Sequence, residues 1–303
     1  MVYNVGEITQ GNTMKLTHKL LLGTLMMTGS LFAEVTTLLP YAASLQYDSS
    51  PSKSTKDNGK MAGLYFSYGN LDYLFEMDYA KTNIKYKNAT TSNLVQDDFT
   101  VAYSFYSDTH FLKLGLHHIS TTDTDLGNGN TFILTFGENR WDGYDKYSYA
   151  LETYYSVFKD GFNDRNISKK IALLQITPSF TFSKSIDINT RNTLHIAGNW
   201  VHTNDYTKNN YYSYEVQDTL YYKNFFVNAK FYGGQMITGV KDGGNTVFNT
   251  KDVLNSGYGV KLGYYFTPSS ILAIGYEVNK YREFLSTADG SYSVALLTYT
   301  YSF

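Results

Sequence analysis

The chain has 303 residues with 43% hydrophobic and 17% charged side chains, enough for a core, and a net charge of −2 that gives no ground for nucleic-acid binding. It contains no cysteine, which excludes disulfide scaffolds, thiolate metal sites and thiol catalysis. Its 30 Tyr and 19 Phe beside only 4 Pro suit β-strands and membrane–water interfaces, where a tyrosine ring lies in an apolar layer and its hydroxyl meets water.

From Met14 the chain reads M-K-L-T-H-K and then L-L-L-G-T-L-M-M-T-G-S-L-F-A. A basic start, a short apolar stretch and a small residue before Glu34 have the form of a secretory signal peptide, too short to cross a bilayer as a helix. Residues 1–33 are therefore expected to be an upstream extension plus a signal cleaved after Ala33, and residues 34–303 one domain. No later apolar run is long enough for a transmembrane helix, but a secreted chain can still cross a membrane by closing a sheet on itself, which pairs every backbone group.

Thr36 to Tyr47 opens the sheet with Leu39, Tyr41, Ala43, Leu45 and Tyr47 on one face. After a polar loop from Asp48 to Gly59 come two strands, Lys60 to Tyr68 and Leu71 to Ala80, separated by Gly69-Asn70 as a tight hairpin requires. The pattern repeats along the chain. Long polar loops are expected at 83–94, 120–130, 159–168, 202–211, 240–256 and 282–290. Short turns are expected at Ser107-Asp108-Thr109, Trp141-Asp142-Gly143-Tyr144, Ser183-Lys184-Ser185, Lys223-Asn224 and Thr267-Pro268-Ser269-Ser270. Nothing is left over for an internal plug.

The last stretch, Ser291 to Phe303, places Ala295, Leu297, Tyr299, Tyr301 and Phe303 on one face and Thr298, Thr300 and Ser302 on the other. A chain that stops on phenylalanine after aromatics at alternate positions resembles the closing strand of bacterial outer-membrane β-barrels. The resemblance implies a closed antiparallel transmembrane β-barrel in the outer membrane, with short periplasmic turns and longer extracellular loops. It also implies recognition of the strand ending at Phe303 by the barrel-assembly machinery, and outer-membrane lipid and lipopolysaccharide as surroundings. The spacing gives about fourteen strands, with twelve and sixteen as the neighbouring even alternatives.

If one face meets lipid, strand charges belong on the other, because Lys or Arg at mid-bilayer costs about 2–4 kcal/mol. With the aromatic face outward, the inward positions collect Asp72, Glu76, Asp78, Asp98, Lys113, Glu152, Arg191, Glu215, Lys230, Lys261 and Glu277, with His117 and His195. Glu138, Asp218 and His118 are the outward exceptions. These charges read as the wall of a water-filled pore for passive diffusion of small hydrophilic solutes, and the acidic excess around Asp72, Glu76 and Asp78 implies a weak preference for cations. Inward tyrosines (Tyr65, Tyr106, Tyr154, Tyr221, Tyr232, Tyr265) could stack on sugars, although filling space accounts for them better.

No cofactor motif and no catalytic residue is assigned for that function. One alternative is an acyl hydrolase: His118 and Ser120 share the outward face, Asn130 joins them from the next strand, and the His-x-Ser pair resembles that of outer-membrane phospholipase A and related lipid-deacylating barrels. The chain departs from that pattern after the serine, where Thr121-Thr122 replaces Asn-Gly. Another alternative is an adhesin or receptor that works through its loops. Thr121 to Asn130 carries oxygen ligands at spacings Ca²⁺ could use, but lacks the distal Glu of an EF-hand, so no metal is assigned.

Overall fold

The computed structural model describes residues 34–303 apart from 51, 89–90, 123–125, 161–169, 205–207, 248–251 and 284–287; the expected signal peptide lies outside the described residues. The chain alternates apolar and polar side chains with a period of two, so each segment can satisfy only a sheet that is greasy on one side. The strands are β1 (Val35–Tyr47), β2 (Lys56–Gly69), β3 (Tyr73–Tyr86), β4 (Leu94–Tyr106), β5 (His110–Thr121), β6 (Leu126–Asp142), β7 (Asp145–Asp160) and β8 (Lys170–Asp187). They continue as β9 (Thr190–Thr203), β10 (Asn210–Tyr222), β11 (Phe225–Ile237), β12 (Val240–Lys241), β13 (Thr246–Val247), β14 (Val253–Thr267), β15 (Ser270–Arg282) and β16 (Asp289–Ser302).

All but β12 and β13 form one closed antiparallel barrel, in which each strand pairs with its neighbours in sequence and β1 pairs with β16. That makes 14 wall strands, as the spacing implied. The closing seam runs from Thr37 opposite Ser302 to Tyr47 opposite Tyr292. Phe303 extends it: its N–H donates to Thr36 O at 3.0 Å and its carbonyl accepts from Thr36 N–H at 2.9 Å. Closure leaves no edge strand with unpaired backbone groups in the wall, which is what lipid demands.

Connections at one rim are short (70–72, 107–109, 143–144, 188–189, 223–224, 268–269), and those at the other are mostly longer (48–55, 87–93, 122–125, 161–169, 204–209, 238–252, 283–288). Several expected boundaries move. Ser183 to Ser185 is not a turn but part of β8, which runs on to Asp187 and turns at Ile188-Asn189. Ser183 faces inward and its hydroxyl lies 2.9 Å from that of Thr193, so a polar run marked the lumen wall rather than a chain reversal. The expected loop at 120–130 shrinks to 122–125 because β5 and β6 continue above it.

The outward face is apolar and ring-rich. Leu134, Phe136, Ile274, Tyr276 and Tyr301 are each 44–56% exposed, and Phe303 is 64% exposed. The three outward exceptions are accommodated locally. Glu138 pairs with Arg140 at 2.8 Å, Asp218 accepts from Asn192 Nδ2 at 2.7 Å, and His118 Nδ1 lies 2.8 Å from Asn130 Oδ1.

On β1 the expectation of an outward apolar face is reversed. Tyr41, Ala43 and Tyr47 point into the barrel, and Pro40, Ala42 and Ser44 point out. The cause is hydrogen bonding and packing inside: the Tyr41 hydroxyl donates to Asp78 Oδ1 at 3.0 Å, and the Tyr47 ring packs against Tyr281 and Tyr292 at 6.1 and 5.3 Å between centroids.

The expectation that nothing plugs the barrel, with 240–256 an ordinary outer loop, is also overturned. Beyond β11 the chain turns into the lumen, where β12 and β13 form a small hairpin across the 3₁₀ turn Asp242–Gly244. The turn-in begins at a bulge between Gly233 and Met236. Gly234 sits there at φ +92°, and a Cβ would come within 2.5 Å of Tyr212 O, so only glycine allows the bend.

Candidate functional site

The lumen falls into three tiers between the long-loop rim and the short-turn rim. The upper tier, beneath the long loops, is apolar. Ile119 and Ile171 are fully buried there with Phe158, Leu173 and Val201, and Ile237 at the end of β11 and Val240 and Val247 of the inserted segment pack onto them. A second cluster joins Tyr47, Ile84, Leu94, Met236, Leu254 and Tyr281. It borders a cavity of about 130 Å³ that is also lined by the buried ion pair of Lys56 with Asp252. At about 1.5–3 kcal/mol per fully buried aliphatic side chain, Val240 and Val247 alone give the inserted segment a substantial hold.

The middle tier carries the charges. On β3, β4 and β5, Glu76 pairs with Lys113 at 2.9 Å and accepts the Tyr65 hydroxyl at 2.9 Å. Asp78 accepts from Tyr41, and Asp98 lies 3.3 Å from His117 Nε2, whose Nδ1 lies 2.7 Å from Thr100 Oγ1. Asp72 does not join them: it is exposed in the 70–72 turn, ahead of β3. Across the barrel, Glu215 lies 3.7 Å from both Lys230 and Lys241, while Lys261 on β14 and Glu277 on β15 line the same wall. Arg191 and Glu152 also sit on inward positions, Glu152 accepting the Tyr154 hydroxyl.

The inserted segment spans this tier and is pinned at both sides. On β8, Gln175 mimics a strand partner: its Nε2 donates to Val240 O and its Oε1 accepts from Val240 N–H, both at 2.8 Å. On β10 and β11, Lys241 places its ammonium 3.7 Å from the Tyr232 ring centroid and near Glu215. At the tip, Gly244 at φ +99° passes so close to Ile133 that a Cβ would meet Ile133 Cδ1 at 2.2 Å.

Asp242 lies among Lys230, Lys241 and Lys261 and accepts from Thr246 Oγ1 at 2.9 Å. Burial pushes its carboxyl up, but Lys230, the Thr246 hydroxyl, Lys241 and Lys261 outweigh that and hold it below its ordinary value. Burial and Lys230 act the other way on Lys241, whose ammonium is held below its ordinary value despite Glu215, Glu277 and Asp242.

Beneath the segment is a cavity of about 300 Å³ lined by Glu152, His195, Asn199, Glu215, Gln217 and Asp242 among others. His195 Nδ1 lies 2.8 Å from Thr181 Oγ1. The six inward tyrosines are all on the lumen side, and Tyr65 and Tyr154 donate to carboxylates. In the lower tier, near the short turns, Ser67, Ser104, Ser183, Thr298 and Thr300 are buried in the wall, which also carries the inward rings of Tyr221, Phe226 and Tyr265. Among the described residues no cluster of His, Asp and Glu could hold a metal ion. The Thr121–Asn130 stretch is described only in part, and Asn128 Oδ1 is engaged by the Thr121 N–H at 2.7 Å.

Sequence reasoning missed Lys146, Gln175, Lys241 and Asp242. Lys146 shares the parity of Glu152 and was legible. For Lys241 and Asp242 the signal was the run of glycines at Gly233-Gly234, Gly239 and Gly243-Gly244, which bends a chain back on itself where a plain outer loop needs no such freedom; Gln175, on β8, carries no such signal.

No protein-family model matches the chain, and no curated protein sequence does. Solved structures do match in shape. The CymD monoaromatic hydrocarbon channel superposes with a TM-score of 0.52 at 9% identity, over 99% of this chain and 94% of that one. A deltaS2S3 mutant of the TodX monoaromatic hydrocarbon channel does so with a TM-score of 0.52 at 8% identity, over 90% and 91%. The Acinetobacter baumannii outer membrane protein Omp33 reaches a TM-score of 0.49 at 12% identity, over 89% and 99%. At such identities the likeness is one of fold.

Proposed function

From the premise that the chain is a bacterial outer-membrane β-barrel, we propose that it is a narrow channel for passive diffusion of small hydrophilic solutes, constricted at mid-height by its own segment 238–247. The observation that carries this is the pairing of a charged, polar middle tier with a cavity of about 300 Å³ directly beneath the inserted segment. Charged groups left in the middle of a membrane protein need water or partners. A 14-stranded bore exceeds what side chains alone fill, and here a piece of backbone takes up part of the remainder. No chemical step is involved: the gradient drives passage, and charge and width select.

The acidic wall of β3 and β4 supports a weak cation preference at low salt. Glu76 is neutralised by Lys113, and Lys146 and Lys241 add positive charge to the lumen, so the preference is small. Planar-bilayer recording tests both claims. Ion conductance with a slightly cation-selective reversal potential is expected; firm anion selectivity removes the cation preference, and absence of conductance removes the channel.

A second activity, hydrolysis of lipid acyl chains at the outer face, is supported by one contact. Asn130 Oδ1 lies 2.8 Å from His118 Nδ1, which would hold the proton there and leave Nε2 free to accept one from a serine. Ser120 is exposed on the same face, two residues along β5. Release of fatty acid from phospholipid micelles by the purified barrel, lost in Ser120→Ala, would establish this activity. No release above a detergent blank would remove it and leave the channel untouched.

A further inference from the structure

The lower tier contains polar groups that the wall does not satisfy. Arg191, inward on β9, is half-buried, and its Nη2 is buried with no hydrogen-bond partner; the Tyr265 hydroxyl on β14 is likewise buried and unpartnered. Buried polar atoms are almost always paired, and an unmade bond to a charged donor is the costliest kind. The two belong to one arc of inner wall. Arg191 is directly opposite Tyr221 across β9 and β10, and Tyr221 is opposite Phe226 across β10 and β11. The Phe226 ring lies 5.9 Å from that of Tyr221 and 6.2 Å from that of Tyr265.

On the other side of Arg191, beyond β8, Lys146 faces inward at the same rim, paired across strands with Ser183 and within electrostatic reach of the guanidinium. Its ammonium lies 5.5 Å from the Trp141 ring centroid, and among the described residues no carboxylate forms an ion pair with it. The acid that acts electrostatically on Arg191 is Asp145, whose Oδ1 accepts the Ser185 N–H at 3.1 Å. Lys146 and Arg191 thus bring two coupled positive charges to this part of the inner wall, and the carboxylate that acts on Arg191 is already engaged.

We propose that the periplasmic mouth of the lumen is a binding site for the oxyanion group of a small organic acid, taken by Arg191 and Lys146, with its apolar body against Tyr221, Phe226 and Tyr265. A carboxylate offers the paired acceptors a guanidinium fork matches, and it can draw on the unpartnered tyrosine hydroxyl. The flanking rings give a flat organic body a surface that bare phosphate or chloride would not use. The site rests on the channel only for its role as a station on the path; the binding itself does not need transport.

The test is titration of the full barrel in detergent with benzoate, its neutral isostere benzamide, acetate and inorganic phosphate. Saturable benzoate binding is expected, weaker binding of acetate and phosphate, and none of benzamide. Arg191→Gln should weaken benzoate binding about tenfold or more, as loss of a charge-assisted pair implies, and Lys146→Gln less. Added salt should compete. If Arg191→Gln fails to fold, judged by the heat-modifiable gel shift, Arg191→Lys keeps the charge, loses the fork and must still weaken benzoate.

Equal binding of benzoate and benzamide, or unchanged benzoate binding in a folded Arg191 variant, overturns the site. Tighter phosphate than benzoate overturns the role of the rings. A barrel that binds benzoate but never conducts removes the channel and keeps the site; one that conducts without binding benzoate does the reverse.

Discussion

The upper and lower halves of the lumen are built from the same strands yet do opposite things. Above, inward positions hold Tyr47, Ile84, Leu94, Phe158 and Ile171 in two apolar clusters, one of which takes in Val240 and Val247 of the inserted segment. Below, the same parity holds serines, threonines and the arc around Arg191. Apolar packing holds the inserted segment above, while below the wall presents polar groups and rings. The charged middle tier is the boundary, and segment 238–247 straddles it, with its valines in the upper core and Asp242 in the charged layer.

That contrast can be attacked from several directions. The largest effect belongs to the lipid face, on which both halves depend. Leu134→Lys places a cation outward near mid-wall and should cost about 2–4 kcal/mol in a urea refolding titration into vesicles, whereas Thr135→Lys, one residue along and inward, should cost far less. Equal costs would mean that inside and outside have been exchanged.

Next comes the anchor of the inserted segment. Gln175→Leu removes both bonds to Val240, worth about 1–3 kcal/mol together, and leaves the buried Val240 N–H and C=O unpaired. Faster amide exchange across 238–247, with the wall strands unchanged, is the expected readout; uniform destabilisation of the barrel would show that the segment is not a separate unit.

The smallest effect is that of acid. Asp242 has a lowered pKa where it is docked, so docking carries fewer protons than release. Its contribution is fully present above the ordinary carboxylate value and is lost only as pH falls through the still lower docked value. Channel noise should therefore be flat from neutral pH down through the ordinary carboxylate range and rise below it, and Asp242→Asn should abolish that step. A step near neutrality would point to a different group.

How much of this could be read from residues alone follows from which interactions are local. The wall was legible because alternation with a period of two is written into each strand: Tyr258, Val260, Leu262 and Tyr264 declare an outward face without reference to any neighbour. β1 was misread because Tyr41 and Tyr47 are inward for reasons that sit on β3, β15 and β16, and no single strand carries that information. Asp72 was placed in the lumen by parity carried past the end of its strand. The inserted segment was missed for the same kind of reason: its polar look matches an outer loop, and its anchor, Gln175, lies on β8. The His118–Asn130 contact was foreseeable because both residues lie on adjacent strands with a fixed register.

The central claim is that a backbone segment narrows an otherwise open bore. Single-channel recording in planar bilayers, comparing the intact barrel with one in which residues 239–247 are replaced by a short Gly-Ser linker, addresses it directly. A small unitary conductance that rises several-fold in the deletion is the expected result. Equal conductance in the two proteins, or silence in both while they remain folded, would contradict it.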